Sequence, residues 1–173
     1  SAKLSSTLFQ AYNTLTQRTV GPKCAAEVTV DFSQMKDGDV AGISTFIGNY
    51  GFIGVKKEKD QYYLIMMGRT AKDTSVFGQF EYENPGIEYQ RVPIIDTSVC
   101  LRAEADFTDK KDLASFFYKN REGWQKLGID QPMYFKMDLF TGCRFGLFYY
   151  STKQTGGFVD FSKFQFFEPK EEG

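Results

Sequence analysis

Apolar and polar residues alternate along this chain in short segments divided by turn residues, a spacing that marks an all-β sandwich or barrel. The cleanest segment is Ser98 to Phe107. Val99, Leu101, Ala103, Ala105 and Phe107 point one way, while Arg102, Glu104 and Asp106 point the other. Lys23 to Asp31 repeats the pattern, with Cys24, Ala26, Val28 and Val30 on one face. Val40 to Ile47 and Tyr50 to Lys57 flank a tight Gly48-Asn49 hairpin, and Lys59-Asp60 turns the chain into Gln61 to Arg69. Lys36 to Asp39 reads as a turn around Gly38.

The pattern continues through Thr74 to Glu83, where Phe77 weakens the period, and Ile87 to Ile94. Leu113 to Lys119 and Trp124 to Leu127 bracket a turn at Asn120 to Gly123. Arg144 to Ser151 and Phe158 to Phe167 read as a final pair around Gly156-Gly157. Helical periodicity is nowhere sustained. One helical turn is expected between Asp130 and Leu139, where Pro132 suits a first helical position. The charged tail from Glu168 to Gly173 is expected to fray. No repeat or linker divides residues 1–173, so one sandwich domain accounts for them.

Composition agrees with sheet. Eighteen Phe and ten Tyr suit a pleated surface on which flat rings pack across strands. A formal net charge of −1 gives no field to draw nucleic acid or an anionic membrane, so neither is expected as a partner. Histidine is absent, which removes Ser-His-Asp and Cys-His catalysis and most zinc chemistry. Cys24, Cys100 and Cys143 lack metal-ligand spacing and are expected as buried thiols acting as small hydrophobes, the alternative being one disulfide. Ser1-Ala2 reads as a processing or cloning boundary, so the chain is expected to be a piece of something longer.

Three kinds of site deserve weighing. Glycoside hydrolysis needs two carboxyl groups about 5 to 9.5 Å apart, one with a raised pKa. Glu104 and Asp106 lie two apart on one strand, about 7 Å from each other on one face, but the continuation Phe107-Thr108-Asp109 lacks the further Glu that usually closes such a motif. A solvated face with Arg102 neutralising Glu104 is the favoured reading, and Glu81 with Glu83 repeats the pattern. Exposed rings are the second kind, because the apolar face of a pyranose stacks on a flat side chain. Trp124, Tyr50 and Tyr62 are the foremost stacking candidates, followed by Tyr63, Tyr149 and Tyr150, with a protein interface as the competing use. Third, Asp37, Asp39 and Asp160 offer oxygens to a calcium ion, although Asp-Gly-Asp turns are common without metal. No other cofactor is indicated.

Several segments, taken in order, carry a resemblance. Leu15 to Pro22, Met35 to Gly42 and Tyr50 to Val55 are similar to the concanavalin A-like domain at the C-terminus of β-xylosidases and α-L-arabinofuranosidases of glycoside hydrolase family 43. So are Ser115 to Tyr118, Trp124 to Gly128, Phe140 to Phe148 and Gly156 to Phe161. The resemblance implies a two-sheet antiparallel jelly-roll sandwich packed on a five-bladed catalytic β-propeller that holds the catalytic acids. It implies that Phe140 lends a ring to the rim of the substrate pocket, the competing reading being a loop anchor in the core. It further implies a xylose- or arabinose-containing saccharide as substrate and a secreted or periplasmic location. The expected function is therefore an accessory domain that completes a plant-polysaccharide glycosidase without carrying catalytic residues. An independent carbohydrate-binding module and a purely structural interaction domain stand as the alternatives.

Overall fold

The computed structural model describes residues 4–5, 8, 13–18, 22–47, 49–69, 86–133 and 144–169. Twelve strands run through them: β1 (Asn13–Arg18), β2 (Lys23–Asp31), β3 (Asp39–Ile47), β4 (Asn49–Glu58), β5 (Gln61–Arg69) and β6 (Ile87–Ile94) in the first half. The second half holds β7 (Ser98–Asp106), β8 (Leu113–Asn120), β9 (Gly123–Lys126), β10 (Gln131–Pro132), β11 (Arg144–Ser151) and β12 (Asp160–Phe167). They form two antiparallel sheets, ordered β1-β11-β3-β4-β5-β6 and β10-β8-β7-β2-β12, with β9 alongside β8. This is the expected all-β, two-sheet antiparallel sandwich. The expected strand Thr74 to Glu83 lies outside the described residues.

The inward faces meet in one apolar core. Val28, Leu101 and Phe116 of the second sheet belong to the same cluster as Ile43, Ile53, Leu64 and Met66 of the first. Each such side chain contributes about 1.5–3 kcal/mol when fully buried. The two sheets differ on their other faces. The second sheet is wet outside, and β7 alternates strictly between buried and half-buried positions. The first sheet is covered on both sides: Leu8, Tyr50, Phe52, Ile65, Phe148 and Tyr150 form a second apolar layer on its outer face. That explains why β4 and β11 read as nearly continuous apolar runs rather than as alternation. Within this layer Phe52 meets Phe148 edge-on at 4.7 Å, a geometry worth about 0.5–1.5 kcal/mol beyond its area.

Several elements differ from the sequence reading. β1 was not expected, and Leu15 shows why: it stays 71% exposed at the sheet edge, so no buried face imposes alternation there. The helical turn at Asp130 to Leu139 gives way to β10 at Gln131–Pro132, while residues 134–139 lie outside the described set. Pro132 lacks an N–H, and an edge position is where a strand tolerates that loss. Its carbonyl accepts from the Asn49 amide at 3.1 Å. Asn49 itself lies in β4 rather than in the turn.

β11 and β12 do not pair with each other. β11 lies between β1 and β3 in the first sheet, whereas β12 pairs with β2 in the second. The glycine-rich segment between them therefore crosses the sandwich instead of closing a hairpin. Gly157 explains the composition, since a Cβ there would stand 2.2 Å from the Asp39 carboxylate.

Candidate functional site

Three features compete for function: the aromatic layer on the first sheet, the acid-rich end near Asp39, and the wet outer face of the second sheet. The layer is closed. Tyr50 is fully buried, and burial pushes its hydroxyl up to about 12, with Arg69 pulling the other way. Tyr150 is also buried, and burial raises its pKa. Tyr149 faces the core on the opposite side of the same strand. Both members of the Tyr149-Tyr150 pair are thus inside, because both faces of their sheet are covered. Tyr50, Tyr149 and Tyr150 cannot serve as open sugar platforms. Tyr62 is half-buried and packs edge-on against Phe32 at 4.9 Å, with the Lys57 ammonium 5.2 Å from its ring, so its exposed area is small. Tyr63 is likewise engaged, by Arg91 at 4.8 Å.

The three candidate calcium ligands are not brought together. Asp39 is fully buried and spends its carboxylate on protein donors: the Lys36 amide at 2.7 Å, the Tyr149 hydroxyl at 2.5 Å and the Ser151 hydroxyl at 2.6 Å. Asp37 accepts from the Lys153 ammonium at 2.8 Å and from the Lys59 amide at 2.7 Å. Asp160 stands in the other sheet, opposite Asp31. Among the described residues no group of three His, Cys, Asp or Glu side chains is placed to hold a metal ion. The calcium expectation for Asp37, Asp39 and Asp160 is corrected on that ground.

The outer face of the second sheet is where Trp124 lies. Strand register places Gln165, Glu27, Arg102, Phe117 and Lys126 in one row across β12, β2, β7, β8 and β9. Arg102 is its hub. Its guanidinium reaches Glu104 at 2.6 Å and Glu27 at 3.3 Å, and sits 5.7 Å from the Trp124 ring and 4.9 Å from that of Phe167. Beneath this ladder Ala25, on the outward side of β2, is fully buried. Phe167, the ring under the Arg102 guanidinium, is the ladder partner of that Ala25, so Arg102 caps an apolar patch as well as carrying charge.

Glu104 and Asp106 are each engaged by protein partners. Glu104 is neutralised by Arg102, as the sequence suggested. At Asp106 burial pushes the carboxyl upward, but the Thr108 hydroxyl and amide, with the Lys111 ammonium, outweigh it and hold the pKa below the usual range. That shift suits an ionised carboxylate rather than a general acid. Glu81 and Glu83 lie outside the described residues, as do Phe140 and Cys143. Cys24 is in the core as expected. Cys100 is only half-buried and lies on the outward face of the same sheet, so these two thiols cannot bridge.

Sequence reasoning singled out Trp124 but not its neighbours Phe167 and Lys119. β12 enters the sheet beside β2 rather than beside β11, and without that order Phe167 had no visible relation to Arg102. The signal available was the alternation of Arg102 with Glu104 in β7, which put both on the wet face.

Taken together, the geometry defines a two-sheet β-sandwich module of the concanavalin A-like class. The sequence model of the β-xylosidase C-terminal concanavalin A-like domain matches residues 1–167. The chain belongs to that family. It is 35% identical to a bifunctional GH43-CE protein of Bacteroides eggerthii, with a TM-score of 0.84, covering 99% of this chain and 21% of that one. A GH43 glycoside hydrolase engineered to display both endo-xylanase and exo-arabinofuranosidase activity is 31% identical, with a TM-score of 0.85, over 97% of this chain and 33% of its own. The GH43 BlXynB protein from Bacillus licheniformis shares the fold at 17% identity and a TM-score of 0.72, over 92% of this chain and 30% of that one. The chain thus spans a fifth to a third of the solved proteins it matches. No curated protein matches it.

Proposed function

We propose that this chain is the C-terminal accessory domain of a plant-polysaccharide glycoside hydrolase, packed on a separate catalytic β-propeller. The parent would remove xylose or arabinose from xylan-type chains, and this domain would complete its saccharide pocket. The observation that carries the reading is the pair of matches above 30% identity to GH43 proteins several times longer. The local chemistry supports it. Glu104 is tied to Arg102 and the pKa of Asp106 is lowered, so this strand lacks the poised acid that hydrolysis requires. A neighbouring domain can wall a pocket, exclude water and orient a sugar without supplying acid or base. Phe140 remains the residue proposed for the pocket rim, on resemblance alone. Polymeric substrates are met outside the cytoplasm, so the reading includes a secreted or periplasmic location.

The test is complementation. The upstream part of the parent, expressed without this domain, should lose most of its activity or heat resistance and regain it when this chain is added. A truncated parent that keeps full activity and stability and does not bind this chain would contradict the proposal.

A further inference from the structure

One end of the first sheet gathers arginines that the features described so far do not use. Arg18 on β1 stands directly opposite Arg144 on β11, and the row continues through Phe46 and Tyr50 to Arg69 on β5. Residues opposite each other in a ladder share one face of the sheet. Phe145 and Leu147 point into the core, so Arg144 and its partner Arg18 point outward, on the side of the Tyr50 and Phe148 layer. Directly opposite residues hold their Cβ atoms about 5 Å apart, close enough for two guanidinium groups to meet one carboxylate.

The pair lacks a counter-charge. Like charges directly opposite each other on adjacent strands destabilise a sheet. Two carboxylates on the outer face of this sheet, Glu58 and Glu88, are taken by Lys56 and Arg91. Among the described residues none stands within ion-pair distance of Arg18 or Arg144. Arg18 is exposed, whereas Arg144 is half-buried, and its Nε is buried with no acceptor among the described residues. The Phe46 ring lies over Gly146 on the same face, where an added Cβ would stand 2.8 Å from it. An aromatic ring thus closes the flank of the pair toward the sheet centre.

Arginine is the cation that protein interfaces favour, and it grips a carboxylate through two parallel hydrogen bonds. Leu15, three residues before Arg18 on the same edge strand, is 71% exposed and adds apolar surface. Arg144 follows Phe140 by four residues, a reach of no more than about 14 Å, so the pair borders the pocket rim proposed above. We propose that Arg18 and Arg144 are the charged anchor of the domain's docking surface, gripping an Asp or Glu side chain on the parent's catalytic propeller. The choice of the propeller as partner rests on the function proposed above; the unmatched pair and its edge position do not.

The upstream part of the parent would be titrated calorimetrically with this chain, unchanged and carrying Arg18→Gln or Arg144→Gln. Urea unfolding of each chain alone would be measured beside it. Each change should weaken docking roughly tenfold, and the difference should shrink in high salt. Arg144→Lys should recover only part of the loss, since an ammonium keeps the charge but not the two-pronged geometry. Alone, the glutamine variants should unfold at the same urea concentration as the unchanged chain or a higher one, because a like-charge pair is gone. Arg121→Gln, in the exposed turn between β8 and β9, should dock normally. Docking that survives both glutamine changes, or that Arg121→Gln weakens equally, would overturn the proposal. So would a lower unfolding midpoint in the isolated variants, which would place the missing carboxylate within this chain. Where the unchanged chain binds, those failures leave the accessory-domain reading standing; where it does not bind at all, both fall.

Discussion

The Tyr149 hydroxyl donates to the Asp39 carboxylate at 2.5 Å, tying β11 to the start of β3 inside the first sheet. Ser151, directly opposite Asp39 in the ladder, adds a second donor, and the Lys36 amide adds a third. Gly157 lies against the same carboxylate as the chain crosses to the other sheet. One buried acid therefore fixes the end of β11, the turn before β3 and the crossing segment.

Tyr149→Phe keeps the ring and deletes the donor. It should destabilise the domain by about 2 kcal/mol, since a charged acceptor is left short of a partner in a buried place. Urea unfolding would show it as a lower midpoint with an unchanged slope. An unaltered midpoint would mean that Asp39 does not depend on the hydroxyl.

Gly157→Ala should destabilise by on the order of 2 kcal/mol, because the added methyl meets the Asp39 oxygen and must displace it. Gly123→Ala provides the contrast: nothing lies within 4 Å of its Cβ, although its φ of 111° still disfavours alanine. The Gly157 variant should lose more in the same unfolding assay.

Acid and alkali should both weaken the fold, for different groups. Asp37, Asp106 and Asp130 all have lowered pKa values, through the Lys153 bond at Asp37, through Thr108 and Lys111 against opposing burial at Asp106, and through Lys126 at Asp130. A lowered folded pKa means stability that is present above the unfolded value of 3.8 and lost as pH falls through the folded one. Tyr50 has the opposite sign. Its contribution is whole below the unfolded value of 10.0 and is lost as pH rises toward about 12. Urea midpoints measured from pH 7 downward should fall below about pH 4. On the alkaline side, the urea midpoint should fall between about pH 10 and 12 and fall less in Tyr50→Phe, and an equal fall in both proteins would contradict the burial.

Much of this fold was legible in the sequence because one face of the second sheet is wet. Val99 to Phe107 alternates strictly only where water and core lie on opposite sides, and β2 was bounded by the same signal; the bounds of β5, β6 and β11 in the first sheet came instead from flanking turns such as Lys59-Asp60. What escaped was non-local. Tyr149 and Tyr150 were both offered as exposed rings, because nothing local says that the first sheet is covered twice. Arg144 to Ser151 and Phe158 to Phe167 looked like a hairpin, because a glycine-rich crossing and a glycine-rich turn have the same composition. At the candidate site, Trp124 was visible as a lone large ring, whereas Arg102, Lys119 and Phe167 became its companions only through strand order.

Arg102 offers a structural check on that companionship. Arg102→Ala should cost about 2 kcal/mol, by leaving Glu27 and Glu104 without their cation and by uncovering the Phe167 and Trp124 rings. Arg102→Met should restore the cover but not the charge, and so recover part of the loss. If the alanine and methionine variants are equally stable, the ladder across the sheet carries no packing energy.

The central claim is that catalysis resides outside this domain. It is tested most directly by assaying the purified chain on nitrophenyl xyloside and nitrophenyl arabinofuranoside beside its parent. The account predicts no turnover by the chain, and full activity in a parent carrying Glu104→Gln and Asp106→Asn. Turnover by the chain alone that disappears with Glu104→Gln would contradict it.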